Sequence, residues 1–377
     1  MRFINYIFTS FLLLLSVGAC QSGKQGGASS AGDTLTLAHA QLLTIVDYDG
    51  YSVASIKDPW NKGRTLHEYV LVPKEAPLPD HLPKATVVRT PVSKAVIYTS
   101  VHSALVQELG AEQQIGGVCD FQYVHVQYII QGVREGRIAD CGDAMSPDLE
   151  RIIDLEPDVI MLSPFENSGG YGRVEELGVP IVECADYMET SALGRAEWMK
   201  FYGRLFGRAE EADQLFSGVS ENYLALKAQA SQAKSRPTVI TDLKMGSVWY
   251  VPGGQSTQGK LWADANVAYP YADDSHSGSL ALSFEAAFDK AGDADIWVMR
   301  YNRPQDMTYH GLVADYHGYA ELKAFKGHQV YGCNTGHTAF YEETPFHPDR
   351  LLRDYIQISH PEIDLGGLTY FEKLKDE

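Results

Sequence analysis

One arrangement of residues occurs twice in this chain, and it limits the fold more than any other feature. The first copy runs Ser146-Pro147-Asp148-Leu149-Glu150, then Arg151-Ile152-Ile153, then Asp158-Val159-Ile160-Met161-Leu162. The second runs Leu282-Ser283-Phe284-Glu285, then Ala286-Ala287-Phe288, then Asp295-Ile296-Trp297-Val298-Met299. Each begins with a helix-start signal, places a glutamate early in the helix, and ends in an apolar run of strand length. Two copies of one α/β unit predict two similar lobes, and two lobes predict a cleft between them.

The stretches around the copies divide accordingly. From Ala95 strands and helices alternate: Ala95–Thr99, Ile115–Cys119, Asp158–Leu162 and Ile181–Cys184 read as strands, with helical pieces between. Alternation of this kind predicts a parallel sheet covered on both faces. Ligands bind outside the carboxyl ends of such strands, which points to Ser100 and His102, to the Ser163–Tyr171 loop, and to Asp186-Tyr187. Glu210–Ala233 then carries Ala212, Leu215, Phe216, Val219, Tyr223 and Leu226 at helical spacing, with no proline inside. At ~1.5 Å per residue the helix would run about 35 Å. A second alternating block follows, with strands expected at Val239–Asp242, Val248–Val251, Ile296–Tyr301 and Gln329–Gly332. Ahead of both blocks, 35–93 reads as a small β-extension with strands at Thr44–Tyr48, Tyr51–Ser55 and Glu68–Val72, the first two joined by the turn signal Asp49-Gly50. The fold class is therefore α/β, two Rossmann-like lobes (94–208 and 236–377) joined by one long helix (209–235), with an N-terminal β-extension.

The first nineteen residues have a short basic start and an apolar run that ends Val17-Gly18-Ala19-Cys20. This reads as a lipoprotein signal peptide, after which Cys20 carries a lipid and 20–34 is a Gly/Ser-rich tether. The expected location is the periplasm, with the membrane reached through the lipid anchor alone. Export permits disulfides among Cys119, Cys141, Cys184 and Cys333. Cys119 and Cys141 each follow a short apolar run and are the pair considered, though spacing does not choose a pairing. A formal charge of −18 argues against nucleic acid as a partner.

Three stretches resemble the substrate-binding proteins of ABC importers that take up ferric siderophores, haem and vitamin B12, the helical-hinge class. Ser146–Ile160 is similar to the N-lobe segment NxExIxxLxPDLVI. Tyr250-Val251-Pro252-Gly253-Gly254-Gln255-Ser256 with Leu261–Ala265 is like the C-lobe glycine turn and helix. Ser283-Phe284-Glu285 with Asp295-Ile296-Trp297 is like the C-lobe SxExLxxxxPDVI. The resemblance covers Ala95 to the C-terminus. It implies that Glu150 and Glu285 dock into arginine-lined sockets of a permease dimer in the inner membrane, that the protein works as a monomer, and that one rigid helix keeps the cleft largely pre-formed.

Candidate ligand-binding residues follow from the turns after expected strands: Ser100, His102, Phe165, Glu166, Asn167, Tyr171 and Tyr187 in the first lobe, and Trp249, Tyr250, Gly253, Gly254, Gln255, Arg300, Tyr301, Phe340 and Tyr341 in the second. Aromatic residues suit a flat macrocycle or a catecholate, and Arg300 suits a carboxylate. Only Arg300 and Arg303 offer positive charge, which favours a corrinoid or haem over an anionic catecholate; His102 or a tyrosine is then a candidate axial ligand. No intrinsic cofactor is expected; iron or cobalt would arrive as part of the cargo. Alternatives are a zinc- or manganese-binding protein of the related metal importers, and a sensor lipoprotein without transport. No nucleophile elbow, HExxH or Cys/His arrangement marks an enzyme.

Overall fold

The computed structural model describes residues 32–166 and 170–377. The signal sequence, Cys20 and Asn167 lie outside the described residues. The chain opens with strands β1 (Asp33–Thr34), β2 (Leu43–Tyr48), β3 (Tyr51–Lys57), β4 (Thr65–Pro73) and β5 (Thr86–Thr90), in spatial order β1-β2-β3-β4-β5. The β2–β3 hairpin closes at Asp49-Gly50, where Gly50 takes φ +84°. Beyond the strands read from sequence, β5 adds a parallel edge to β4. Two buried glutamates fasten this sheet to the first lobe. Glu197 accepts the backbone N–H groups of Ala38, His39 and Ala40, and Glu189 accepts those of Gln41 and Leu42.

The first lobe holds β6 (Ala95–Ile97), β7 (Ile115–Val118) and β8 (Ala139–Asp140). A small hairpin follows, β9 (Gly142–Asp143) and β10 (Ser146–Pro147), and then β11 (Val159–Leu162) and β12 (Ile181–Glu183). Its main sheet runs β12-β11-β6-β7-β8, all parallel. β6, β7 and β11 are buried throughout because helices cover both faces. The second lobe holds β13 (Val239–Thr241), β14 (Lys244–Met245), β15 (Val248–Pro252), β16 (Ser279–Leu282), β17 (Ile296–Tyr301), β18 (Val330–Asn334) and β19 (Glu372–Lys373). Here β13-β17-β18 pair in parallel with antiparallel β19 at the edge, and β14-β15-β16 form a separate antiparallel sheet. The expected strand Val248–Val251 thus forms but joins the smaller sheet.

The long helix spans Ala209–Ala230, about 33 Å at ~1.5 Å per residue. Ala212, Phe216, Val219 and Tyr223 form its buried face. Its first half packs on the Met199–Phe206 helix of the first lobe, with Lys200 Nζ 4.9 Å above the Phe216 ring. Its second half packs on Pro348–Ser359 of the second lobe; Tyr223 Oη donates to Asp264 Oδ2 at 2.6 Å and Lys227 pairs with Asp264 at 2.7 Å. The helix therefore bridges the lobes. No helix among the described residues is long and apolar enough to cross a membrane. Cys119, Cys141, Cys184 and Cys333 are all buried free thiols. Cys119 and Cys141 do sit at neighbouring strand ends, with Cys119 Sγ 3.9 Å from Cys141 O, but no bridge joins them.

Candidate functional site

The carboxyl ends of both parallel sheets face a cleft made of two adjoining cavities. One, of about 580 Å³, lies between Ser100, Gln122, Tyr123 and His125 of the first lobe and Arg300, Tyr301, Asn302, Thr335, Thr338 and Glu342 of the second. The other, of about 560 Å³, lies between Tyr187, Thr190 and Arg195 and Ser256, Gln258, Phe340 and Pro348. Arg300 and Tyr341 line both, so the cavities share a wall. Tyr123, Tyr187 and Tyr341 are exposed large aromatics, and solvent-facing rings in a concave site are what a flat or greasy ligand covers.

Among the described residues the cleft contains two guanidinium groups, and each is paired with a carboxylate. Arg300, near the carboxyl end of β17, makes a two-pronged pair with Asp242: Nε to Oδ1 at 2.9 Å and Nη2 to Oδ2 at 3.0 Å. Its charge is held firmly: burial works against it, and the Asp242 carboxylate outweighs burial. The Phe340 ring stacks beneath it at 5.8 Å. Arg195 donates Nε to Asp186 Oδ2 at 2.9 Å. Asp186 is fully buried and also receives Tyr202 Oη at 2.8 Å. Burial alone would raise its pKa, but His102 and Arg195 reverse this and hold it well below the usual carboxylate range.

The remaining sequence candidates divide sharply. Ser100, Tyr187, Arg300, Tyr301, Phe340 and Tyr341 line the cleft. His102 does not: it is 3% exposed, its Nε2 faces Asp186 Oδ1 at 2.8 Å, and its Nδ1 is taken by the Thr99 hydroxyl. Both ring nitrogens are occupied, so it offers no axial ligand. Burial opposes its charge, yet the neighbouring Cys184 sulfur and Asp186 carboxylate raise its pKa to about 10. Trp249 is fully buried against Phe284, Trp297 and Tyr319, with Nε1 donating to Thr241 O at 2.8 Å. Tyr250 alternates to the opposite, exposed face. Gly253 and Gly254 are buried where a Cβ would collide with the carbonyl oxygens of His276 and Ala272, so they serve the turn's own packing. Gln255, Phe165 and Glu166 are exposed away from both cavities, and Tyr171 is spent on Glu183 at 2.5 Å.

Sequence reasoning missed Tyr123, His125, Arg195, Gln258, Asn302, Thr335 and Glu342. Some were within reach. The loop after β7 carries Tyr123 and His125, and the loop after β18 carries Thr335, so the strand-end rule applied to these two expected strands would have found them.

Comparison with known proteins agrees with this fold. The profile of the family described as "Periplasmic binding protein" matches residues 95–335. The uncharacterized lipoprotein MJ0878 of Methanocaldococcus jannaschii is 26% identical, across 90% of this chain and 85% of its own length. A periplasmic heme binding protein from Pseudomonas aeruginosa superposes with a TM-score of 0.58 at 16% identity, over 75% of this chain and 98% of the other. The periplasmic vitamin B12 binding protein BtuF of Vibrio cholerae does so with a TM-score of 0.54 at 12% identity, over 73% and 99%. With the profile spanning most of both lobes and one helix bridging them, the chain belongs to the periplasmic binding protein family, in its helical-hinge form.

Proposed function

We propose that the protein captures an iron chelate, haem or cobalamin in the interlobe cleft and hands it to the permease dimer of an ABC importer, while a lipid on Cys20 keeps it at the membrane. The observation that carries this reading is the cleft itself: two joined cavities, faced by three exposed tyrosines, with both guanidinium groups already paired. Such a wall suits a large aromatic or neutral metal complex better than a polyanion. Among the described residues no three His, Cys, Asp or Glu side chains gather as a bare-metal site.

The docking faces repeat between lobes. Glu150 follows the cap Asp148, which accepts Arg151 N–H at 3.1 Å; Glu285 follows the cap Ser283, which accepts Ala286 N–H at 3.2 Å. Both glutamates are exposed in the first turn of a helix. For Glu285, its own backbone N–H and the Ser283 hydroxyl lower the pKa and keep it ionised. Beside each helix a short hairpin holds up an exposed methionine, Met145 (80%) and Met245 (72%). Two matched acid-plus-methionine faces suit a partner with two-fold symmetry.

Tryptophan quenching of the purified protein, titrated with cobalamin, haem and ferric siderophores, tests the ligand class. Submicromolar binding of one of them supports it; binding of hydrated zinc alone overturns it. A Glu150→Ala, Glu285→Ala double variant should keep ligand affinity and lose uptake, and unchanged uptake would refute the docking assignment.

A further inference from the structure

The N-terminal extension precedes the stretch matched by the family profile, which begins at residue 95, yet it grips one wall of the cleft at both ends. That wall is 185–190, the segment that leaves the carboxyl end of β12. It gives Tyr187, Met188, Glu189 and Thr190 to the second cavity. Just before it stands Glu183, the last residue of β12. The Glu183 backbone N–H donates to the hydroxyl of Tyr69 on β4 at 2.9 Å, and Glu183 Oε2 lies 3.1 Å from Nδ1 of His67 on the same strand. Tyr69 is fully buried and stacked on the His67 ring.

At the far end of the wall stands Glu189, 3% exposed. Its Oε1 accepts the backbone N–H groups of Gln41 at 2.9 Å and Leu42 at 2.8 Å, and the indole N–H of Trp198 at 3.0 Å. A buried carboxylate requires such donors, so the side chain is tied to the segment ahead of β2. The backbone of the same residue shapes the cleft. Glu189 N–H donates to Asp186 O at 3.0 Å and closes the turn that carries Tyr187. Glu189 O accepts the Thr257 hydroxyl at 3.0 Å, and Thr190 O accepts Lys260 Nζ at 2.7 Å, both from the second lobe. Two clamps from the extension thus bracket Tyr187, whose ring is 38% exposed in the cavity.

We propose that the N-terminal extension is a working part of the binding site: it holds the 185–190 wall where Tyr187 meets the ligand, with Glu189 and Tyr69 as positioning residues. The proposal rests on the reading of the interlobe cleft as the place where cargo is held. Its physical content is pre-organisation. A wall in place for only a fraction of the time weakens apparent affinity by that fraction, with no contact to the ligand lost. Anchoring of the extension for stability alone does not need Glu189. Glu197 already holds Ala38, His39 and Ala40, and it lines neither cavity. Glu189 differs in joining the extension, the cleft wall and the second lobe at one residue.

Hydrogen exchange of the ligand-free protein, normalised for intrinsic rate, tests the clamp. In Glu189→Ala the amide at position 189 should exchange at least about tenfold faster, because two backbone donors and the indole lose their acceptor. Glu189→Gln, whose side-chain oxygen replaces Oε1, should restore protection, and Glu197→Ala should leave that amide unchanged. Tyr69→Phe removes only the hydroxyl met by Glu183 N–H and gives the same readout should Glu189→Ala not fold. Tryptophan quenching with the tightest binder among haem, cobalamin and a ferric siderophore then tests the consequence. Its Kd should rise about tenfold in Glu189→Ala and stay native-like in Glu189→Gln and Glu197→Ala. Native-like exchange at position 189 in Glu189→Ala and Tyr69→Phe, equal loosening by Glu197→Ala, or faster exchange with an unchanged Kd overturns the proposal. Failure of all three probes to bind the native protein counts instead against the proposed cargo, and the exchange result still decides the clamp.

Discussion

Asp242→Asn is the perturbation that most clearly isolates the chemistry of the cleft. Asp242 has φ +59°, a left-handed conformation that asparagine also tolerates, so the backbone is not disturbed. What is lost is the negative partner of Arg300. The pair is partly buried, 27% and 18% exposed, and stands between the surface case worth about 0–1 kcal/mol and the buried case worth 3–5. A stability loss of about 2 kcal/mol follows, seen as a drop of a few degrees in Tm. The gain lies in charge selectivity. A guanidinium freed in the cleft, roughly 6 Å from a ligand carboxylate, attracts it by about 3 kcal/mol at an effective dielectric constant near 20, and salt screening leaves about half. That is about a tenfold shift in affinity. Haem carries two propionates and cyanocobalamin is neutral. Parallel quenching titrations of native and variant protein should therefore raise the haem-to-cobalamin affinity ratio about tenfold, and the increase should shrink at high salt. An unchanged ratio in a folded variant would show that Asp242 is not what holds the cleft neutral.

Three further outcomes follow from the packing and titration of the first lobe. A Cβ at Gly203 would lie 2.5 Å from Ala212 Cβ and 2.7 Å from Arg208 O, so Gly203→Val should force the hinge helix off its seat and cost about 2 kcal/mol in denaturant unfolding. Glu197→Ala strands three backbone N–H groups and should cost about 3 kcal/mol, with hydrogen exchange rising at Ala38–Ala40 while cleft amides keep their protection. The pKa of His102 is raised to about 10 in the folded protein, so its contribution is complete below the ordinary imidazole value of about 6.5 and is lost as pH climbs through the raised one. Native Tm should therefore fall between about pH 7 and pH 10, and His102→Gln should flatten that decline.

Some of this architecture is legible in the residues and some is not, for physical reasons. The buried strands β6, β7 and β11 are continuous apolar runs, and parallel sheets covered on both faces require such runs. The hinge helix is equally plain, because its buried face recurs at helical spacing from Ala212 to Tyr223. β5 is hidden in a proline-rich stretch, since it pairs only at an edge of its sheet. The site is harder to read because alternation and helix phase decide it. Trp249 and Tyr250 are neighbours on one strand; one is core and the other exposed, and nothing local says which. His102 is the third residue of its helix and points at Asp186, a partner 84 positions away. His125 and Glu342 lie 217 positions apart, and only the packing of the two lobes brings them together.

In the proposed function the cargo is held in one cleft, shared by two lobes and spanned by a single helix. Hydrogen exchange of the protein saturated with whichever chelate, haem or corrinoid binds most tightly tests that most directly. Protection should rise in the segments around Tyr123, Tyr187, Tyr301 and Thr335–Tyr341, on both lobes together, and stay unchanged on the N-terminal sheet. Protection confined to one lobe, or to the β2–β3 face of that sheet, would contradict it.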